Sequence, residues 1–139
     1  MPDHFCSNLI IRCIDFRIMP HNLSSLLEGA GVCHDGEYDL VSVAGAGKDL
    51  LSEVAGEKEF ILKQIRISKK LHHVTTIIIL MHQNCGAYGV EDDTEEEKMQ
   101  IDHLHRITDL LHDELSDIIV KGFIVTGVSA GQLGLRAVD

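Results

Sequence analysis

Two short segments carry residues whose types and spacing suit metal chemistry. The first is Cys13-Ile14-Asp15-Phe16-Arg17 and the second is His82-Gln83-Asn84-Cys85-Gly86. Two residues separate His82 from Cys85, a spacing that lets one loop wrap one ion, and Cys13 supplies a third donor. Thiolate sulfur with imidazole nitrogen in tetrahedral geometry suits Zn²⁺. Three protein ligands leave a fourth position open, the arrangement of a catalytic zinc rather than a structural one. Alternate residues of an extended stretch point the same way, so Cys13, Asp15 and Arg17 face one pocket if the strand continues past Cys13. A lone cysteine after a strand is more often a core residue, and an isolated H-x-x-C carries little weight. The weight here comes from two such segments, each at a strand end.

The elements that must position them follow from the hydrophobic pattern. Leu9-Ile10-Ile11-Arg12-Cys13 reads as a first strand, and Pro20 through Leu27 as a short helix that Pro20 can start. Asp39-Leu40-Val41-Ser42-Val43 reads as a second strand, followed by Ala44-Gly45-Ala46-Gly47. A long helical stretch is expected from about Asp49 to Leu71. The continuous apolar run Val74 to Met81 suits a central strand buried on both faces. Thr94 with Glu97 three residues on is a capping-box pattern. Ile101, Leu104, Ile107, Leu111 and Leu115 then recur at helical spacing. Ile118-Ile119-Val120 and Phe123-Ile124-Val125 read as one or two last strands before a Gly-rich tail. This alternation predicts an α/β fold, a single domain over 1–139 with a mainly parallel central sheet flanked by helices. In such sheets ligands gather beyond the C-terminal strand ends, where both segments fall.

Composition narrows the class further. Hydrophobic residues are 45% and aromatics only 4%, so the core must be aliphatic. The net charge of −10 repels phosphate backbones and argues against nucleic acid and anionic membrane surfaces as partners. Glu91, Asp92, Asp93, Glu95, Glu96 and Glu97 hold six of the 22 acids and read as a solvated loop and helix start. No apolar run approaches a membrane span. Met1-Pro2-Asp3-His4 lacks a basic start and an apolar stretch, so a cytoplasmic protein with reduced thiols is expected.

Cys13-Ile14-Asp15-Phe16-Arg17 and His82-Gln83-Asn84-Cys85-Gly86 resemble the C-x-D-x-R and H-x-x-C-G motifs of the β-class carbonic anhydrase family. Val43-Ala44-Gly45-Ala46 looks like that family's Gly-containing loop. Lys121 to Val125 and Gly131-Gln132-Leu133 look like its closing strands. The resemblance implies a β-carbonic anhydrase-like fold, with Cys13, His82 and Cys85 holding zinc and Asp15 and Arg17 as the dyad beside it. It implies reversible hydration of carbon dioxide to bicarbonate by zinc-bound hydroxide that Asp15 orients. It also implies a homodimer or higher homo-oligomer. Two positions depart from the family pattern. Phe16 stands where a small residue is usual, and Ser42-Val43 replaces Arg-Asn before the Gly-containing loop.

Two further readings stay open. One is hydrolysis of another small linear molecule, CS₂ or COS, on the same fold, which Phe16 favours by reshaping the pocket. The other is a non-catalytic zinc module, against which the Asp15-Arg17 pair argues. Gly45-Ala46-Gly47-Lys48 fails the phosphate-loop pattern at Ser42 and Asp49, and reads as a close backbone turn. Most histidines, including His72-His73, His103, His105 and His112, read as surface residues. Tyr88 is a pocket candidate, and Cys6 and Cys33 read as bystanders.

Overall fold

The computed structural model describes residues 4–139, so the start Met1-Pro2-Asp3 lies outside the described residues. The elements run in the order β1 (Asn8–Arg12), α1 (Pro20–Gly29), β2 (Tyr38–Ser42), a 3₁₀ helix (Ala46–Leu51), α2 (Glu57–His72), β3 (Thr76–His82), α3 (Asp93–Glu114), β4 (Ile119–Thr126) and β5 (Gly134–Val138). They build one five-stranded sheet in the order β2-β1-β3-β4-β5. The first four strands are parallel and β5 joins β4 antiparallel. The mainly parallel α/β expectation is met.

Alternation along the strands sorts the core onto two faces. Leu9, Ile11, Ile77 and Ile79 pack with Ile61 and Ile65 of α2 and with Leu104, Ile107 and Leu111 of α3. Ile10, Ile78 and Leu80 point the other way, against Leu23 and Leu27 of α1. Every residue of β3 is buried, which is why its sequence is an unbroken apolar run with no period of two. Among the described residues, no helix is long and apolar enough to cross a membrane.

The chain runs from β1 to β2 on one side and continues through β3 on the other side of β1. The C-terminal ends of β1 and β3 therefore flank the switch point, where an open α/β sheet leaves a crevice. Cys13 follows β1 and His82 ends β3.

Two local expectations need correction. The helix expected from about Asp49 to Leu71 is two helices, parted at residues 52–56. Gly56 sits at φ 93°, a left-handed conformation that ends helical continuity, and its N–H donates to Glu59 Oε2 at 3.1 Å to start α2 afresh. Helix α3 is capped by Asp92 rather than Thr94, with Asp92 Oδ1 accepting from Glu95 N at 2.9 Å. The last apolar runs form one strand, β4, within the one or two expected, and it runs through Gly122, where Leu104 fills the space a side chain would take. The Gly-rich tail is a turn leading to β5, which begins just past Gly131-Gln132-Leu133.

Candidate metal centre

Cys13, His82 and Cys85 come together in the crevice, all buried, with one donor atom of each within 4.8 Å of the others. The Cys13 and Cys85 sulfurs are 3.9 Å apart. His82 is oriented by the chain itself. Its Nδ1 lies 2.8 Å from the Gln83 carbonyl oxygen, which can only accept, so Nδ1 carries the proton and Nε2 keeps its lone pair. That Nε2 is buried without a hydrogen-bond partner. An orphaned buried acceptor beside two sulfurs is the donor set a metal ion would satisfy.

The electrostatics agree. The contact with Cys13, with burial, pushes the Cys85 thiol up. The same contact holds the Cys13 thiol well below its usual range. The backbone N–H of Gly45 adds to this by donating to Cys13 Sγ at 3.4 Å. Gly45 sits at φ 76°, and a Cβ there would stand 3.1 Å from Lys48 Cβ, so the Gly-containing loop is the close turn expected.

Asp15 and Arg17 lie beside these three. The strand stops at Arg12, so they reach the site from a loop and not from an extended face. Arg17 grips the Asp15 carboxylate with its backbone N–H and Nε on Oδ1, at 2.9 and 3.0 Å, and with Nη2 on Oδ2 at 2.7 Å. These bonds hold the Asp15 carboxyl down to about 2. Arg17 also donates to the Asn84 side-chain oxygen at 2.9 Å and the Asn84 carbonyl at 2.8 Å. One guanidinium thus couples the first motif to the loop between His82 and Cys85. Asp15 Oδ2 stands 3.6 Å from His82 Nε2, next to the cluster and outside its group of mutually close donors.

Three positioning residues escape a reading of the motifs. Glu96, by sequence one of a solvated acidic run, is 3% exposed. Its carboxylate accepts the backbone N–H of Asn84 at 2.7 Å and of Cys85 at 2.8 Å. Gln100, one turn on, donates from Nε2 to the His82 carbonyl at 2.8 Å. Arg12 is buried and donates to the carbonyls of Cys13, Asp15 and Ile18, at 2.5, 3.1 and 2.9 Å, which shapes the loop that carries Asp15. A charged residue inside an apolar strand was the available signal for Arg12. For Glu96 and Gln100 the signal exists only in three dimensions.

Other expectations resolve as follows. Phe16 is 82% exposed, so within one chain it does not narrow the pocket. Ser42 closes β2, and Val43 N donates to the Arg12 carbonyl at 3.0 Å. Tyr88 is buried against the metal-side core, and its hydroxyl meets His103 Nδ1 at 2.9 Å. His103 is therefore a partner of Tyr88 and not a free surface group. Cys33 is a core residue beneath α1. An open cleft of about 340 Å³ borders Cys85 and Gly86.

Known proteins can be set beside this geometry. Residues 1–130 match the family model described as "Putative carbonic anhydrase". An uncharacterised protein of Rickettsia conorii is 28% identical over 127 residues, covering 86% of this chain and 67% of that protein. Another, from Rickettsia bellii, is 35% identical over 83 residues, covering 59% of this chain and 49% of its own length. Among solved structures, the carbonic anhydrase of Glaciozyma antarctica superposes with a TM-score of 0.60 at 16% identity, over 96% of this chain and 83% of that one. The β-carbonic anhydrase CcaA gives 0.57 at 16% identity, over 95% and 80%. The β-carbonic anhydrase CafD of Aspergillus fumigatus gives 0.57 at 11% identity, over 96% and 90%. The structural likenesses speak to the fold and the family model to descent: the chain belongs to the carbonic anhydrase family that this model describes, and it has the fold of the β-class enzymes.

Proposed function

We propose that this protein is a zinc-dependent carbonic anhydrase that hydrates carbon dioxide reversibly to bicarbonate, with Cys13, His82 and Cys85 as zinc ligands and Asp15 and Arg17 as its catalytic pair. The observation that carries the reading is the Asp15 carboxylate, fixed by Arg17 and held 3.6 Å from His82 Nε2. A structural zinc needs no such group at its side. Zn²⁺ at this centre would supply a Lewis acid and an acidified water as nucleophile.

The chain's own residues do the rest. The thiolates of Cys13 and Cys85 would offset the charge of a bound Zn²⁺, so the centre would acidify water less than a three-histidine site, and turnover should rise toward alkaline pH. Asp15, held ionised, can only accept a hydrogen bond, so it selects and orients the protonated side of the nucleophile. Arg17 keeps that carboxylate ionised and, by occupying both of its oxygens, would hold it back from a bound ion. Glu96 and Gln100 hold the backbone that carries Cys85 and His82, which fixes ligand spacing before the ion arrives. A homodimer or higher homo-oligomer belongs to this reading, and Ile14 and Phe16, 61% and 82% exposed beside the site, are apolar surface that a second subunit would cover. A cytoplasmic location also belongs to it.

Stopped-flow hydration of carbon dioxide from pH 7 to 9, on protein shown to contain zinc, tests the proposal. Rapid turnover that rises with pH is expected. Zinc-loaded protein with no turnover across that range would overturn it.

A further inference from the structure

At the opposite end of the sheet a second set of donors converges, built from residues the proposed reaction does not use. Cys6 lies two residues before β1, Asp39 is the second residue of β2, and His72 is the last residue of α2. One donor atom of each lies within 4.8 Å of the others. Zinc–sulfur, zinc–nitrogen and zinc–oxygen bonds of roughly 2.0–2.3 Å put tetrahedral ligand atoms about 3.5 Å apart, so small side-chain rotations would bring these three donors to ligand spacing, with solvent left the fourth position. Six residues of mostly extended chain part Cys6 from Cys13, roughly 20 Å, so the two clusters are independent.

The cluster is already ordered by its neighbours. Ser68 Oγ donates to Asp39 Oδ2 at 2.6 Å, and His72 Nδ1 meets the same oxygen at 2.7 Å. The Cys6 N–H donates to the His72 carbonyl at 3.1 Å, which ties the segment before β1 to the end of α2. The Asp39 carboxylate thus sits between the Ser68 hydroxyl and the His72 ring, beside the Cys6 thiol. Two features favour a cation. The C-terminal turn of α2 presents the negative end of the helix dipole, and Lys69 of that turn points away, to the Ser116 carbonyl at 3.4 Å. An open cleft of about 210 Å³ bordered by Asp39, Gln64, Ser68 and His72 admits solvent. His4 lies close by, its ring centroid 6.3 Å from that of His72.

We propose that Cys6, Asp39 and His72 form a second metal site, which takes a borderline divalent cation of the Zn²⁺ class. Sulfur, imidazole nitrogen and carboxylate oxygen together select such an ion over Mg²⁺ or Ca²⁺, which take oxygen ligands. A thiolate and a carboxylate match its charge, and Cys6 releases its thiol proton to solvent on binding. The side chains of His72 and Asp39 are 34% and 30% exposed, so this ion exchanges more readily than one held by the buried Cys13, His82 and Cys85. Its effect is to pin the segment before β1 to β2 and α2.

Chelator-buffered zinc titration of the full chain tests this. The wild type should bind two ions, one tighter than the other. Cys6→Ser and His72→Ala should each lose the weaker ion and keep the tighter, His82→Ala should lose the tighter, and His73→Ala should bind as wild type does. In a Cys13→Ser/Cys85→Ser background, Co²⁺ should give a thiolate-to-metal absorption band that Cys6→Ser abolishes. Unchanged stoichiometry in both Cys6→Ser and His72→Ala, or a Co²⁺ band that survives Cys6→Ser, would overturn the proposal. Loss of an ion in Cys6→Ser with none lost in His82→Ala would instead leave this site standing and remove the central one.

Discussion

The Glu96 carboxylate, inside α3, accepts the backbone N–H of Cys85 at 2.8 Å. With the companion bond from Asn84 N, one side chain fixes the turn that lies between two proposed ligands. Outer groups that orient ligands commonly account for 10- to 100-fold in metal affinity. Glu96→Ala is expected to weaken zinc binding by roughly that factor, and Glu96→Gln, which keeps one acceptor oxygen, by less. Competition with a coloured chelator measures both. Wild-type affinity in Glu96→Ala would show that the turn holds its shape alone.

Asp15→Asn preserves shape and removes the charge. The variant is expected to keep its zinc and lose roughly 10²-fold or more in kcat, since a neutral amide also presents an N–H where only an acceptor works. Zinc analysis beside stopped-flow hydration checks this. Full turnover would show that Asp15 is dispensable.

Arg17 has a stability signature with a definite sign. It lowers the Asp15 carboxyl from 3.8 to about 2, so the contribution is present above pH 4 and disappears as pH falls through 2. A tenfold change in an acid's dissociation constant corresponds to about 1.4 kcal/mol, and Asp15 is largely screened from solvent, so on the order of 2 kcal/mol is at stake. Metal-free Arg17→Ala keeps the backbone N–H bond to Asp15 Oδ1, so it should be less stable than wild type at pH 7 by part of that amount, the difference vanishing below pH 2. Urea unfolding at several pH values reads the difference. A gap that does not depend on pH would mean that Arg17 acts through packing.

Gln100→Leu would keep most of the volume and leave the buried His82 carbonyl without its side-chain donor. An unmet buried acceptor costs about 1–3 kcal/mol, so a lower urea midpoint at an unchanged slope is expected. Stability equal to wild type would show that the carbonyl needs no partner.

The four parallel strands, their order and the two motif segments were legible because each is written locally, whereas β5 lay in what reads as a Gly-rich tail. β3 is an apolar run, and His82 and Cys85 share one loop. What was not legible depended on distant partners. Glu96 looks like its acidic neighbours until the loop of Cys85 is laid over the start of α3. The break between the 3₁₀ helix and α2 hinges on one positive φ at Gly56, which hydrophobic spacing does not register. Cys6 looked like a bystander because Asp39 and His72 lie 33 and 66 residues away in the chain and meet it only across the end of the sheet. Phe16 was expected to press on the pocket, but the loop carrying it leaves the strand direction at Arg12 and turns the ring outward.

X-ray absorption at the zinc edge, on protein loaded with one equivalent of zinc, tests the central claim most directly. The account predicts two sulfurs at about 2.3 Å and one imidazole nitrogen at about 2.0–2.1 Å, with the remaining position filled by a light atom. His82→Ala should lose that nitrogen. A shell with one sulfur or none, or one unchanged in His82→Ala, would contradict it.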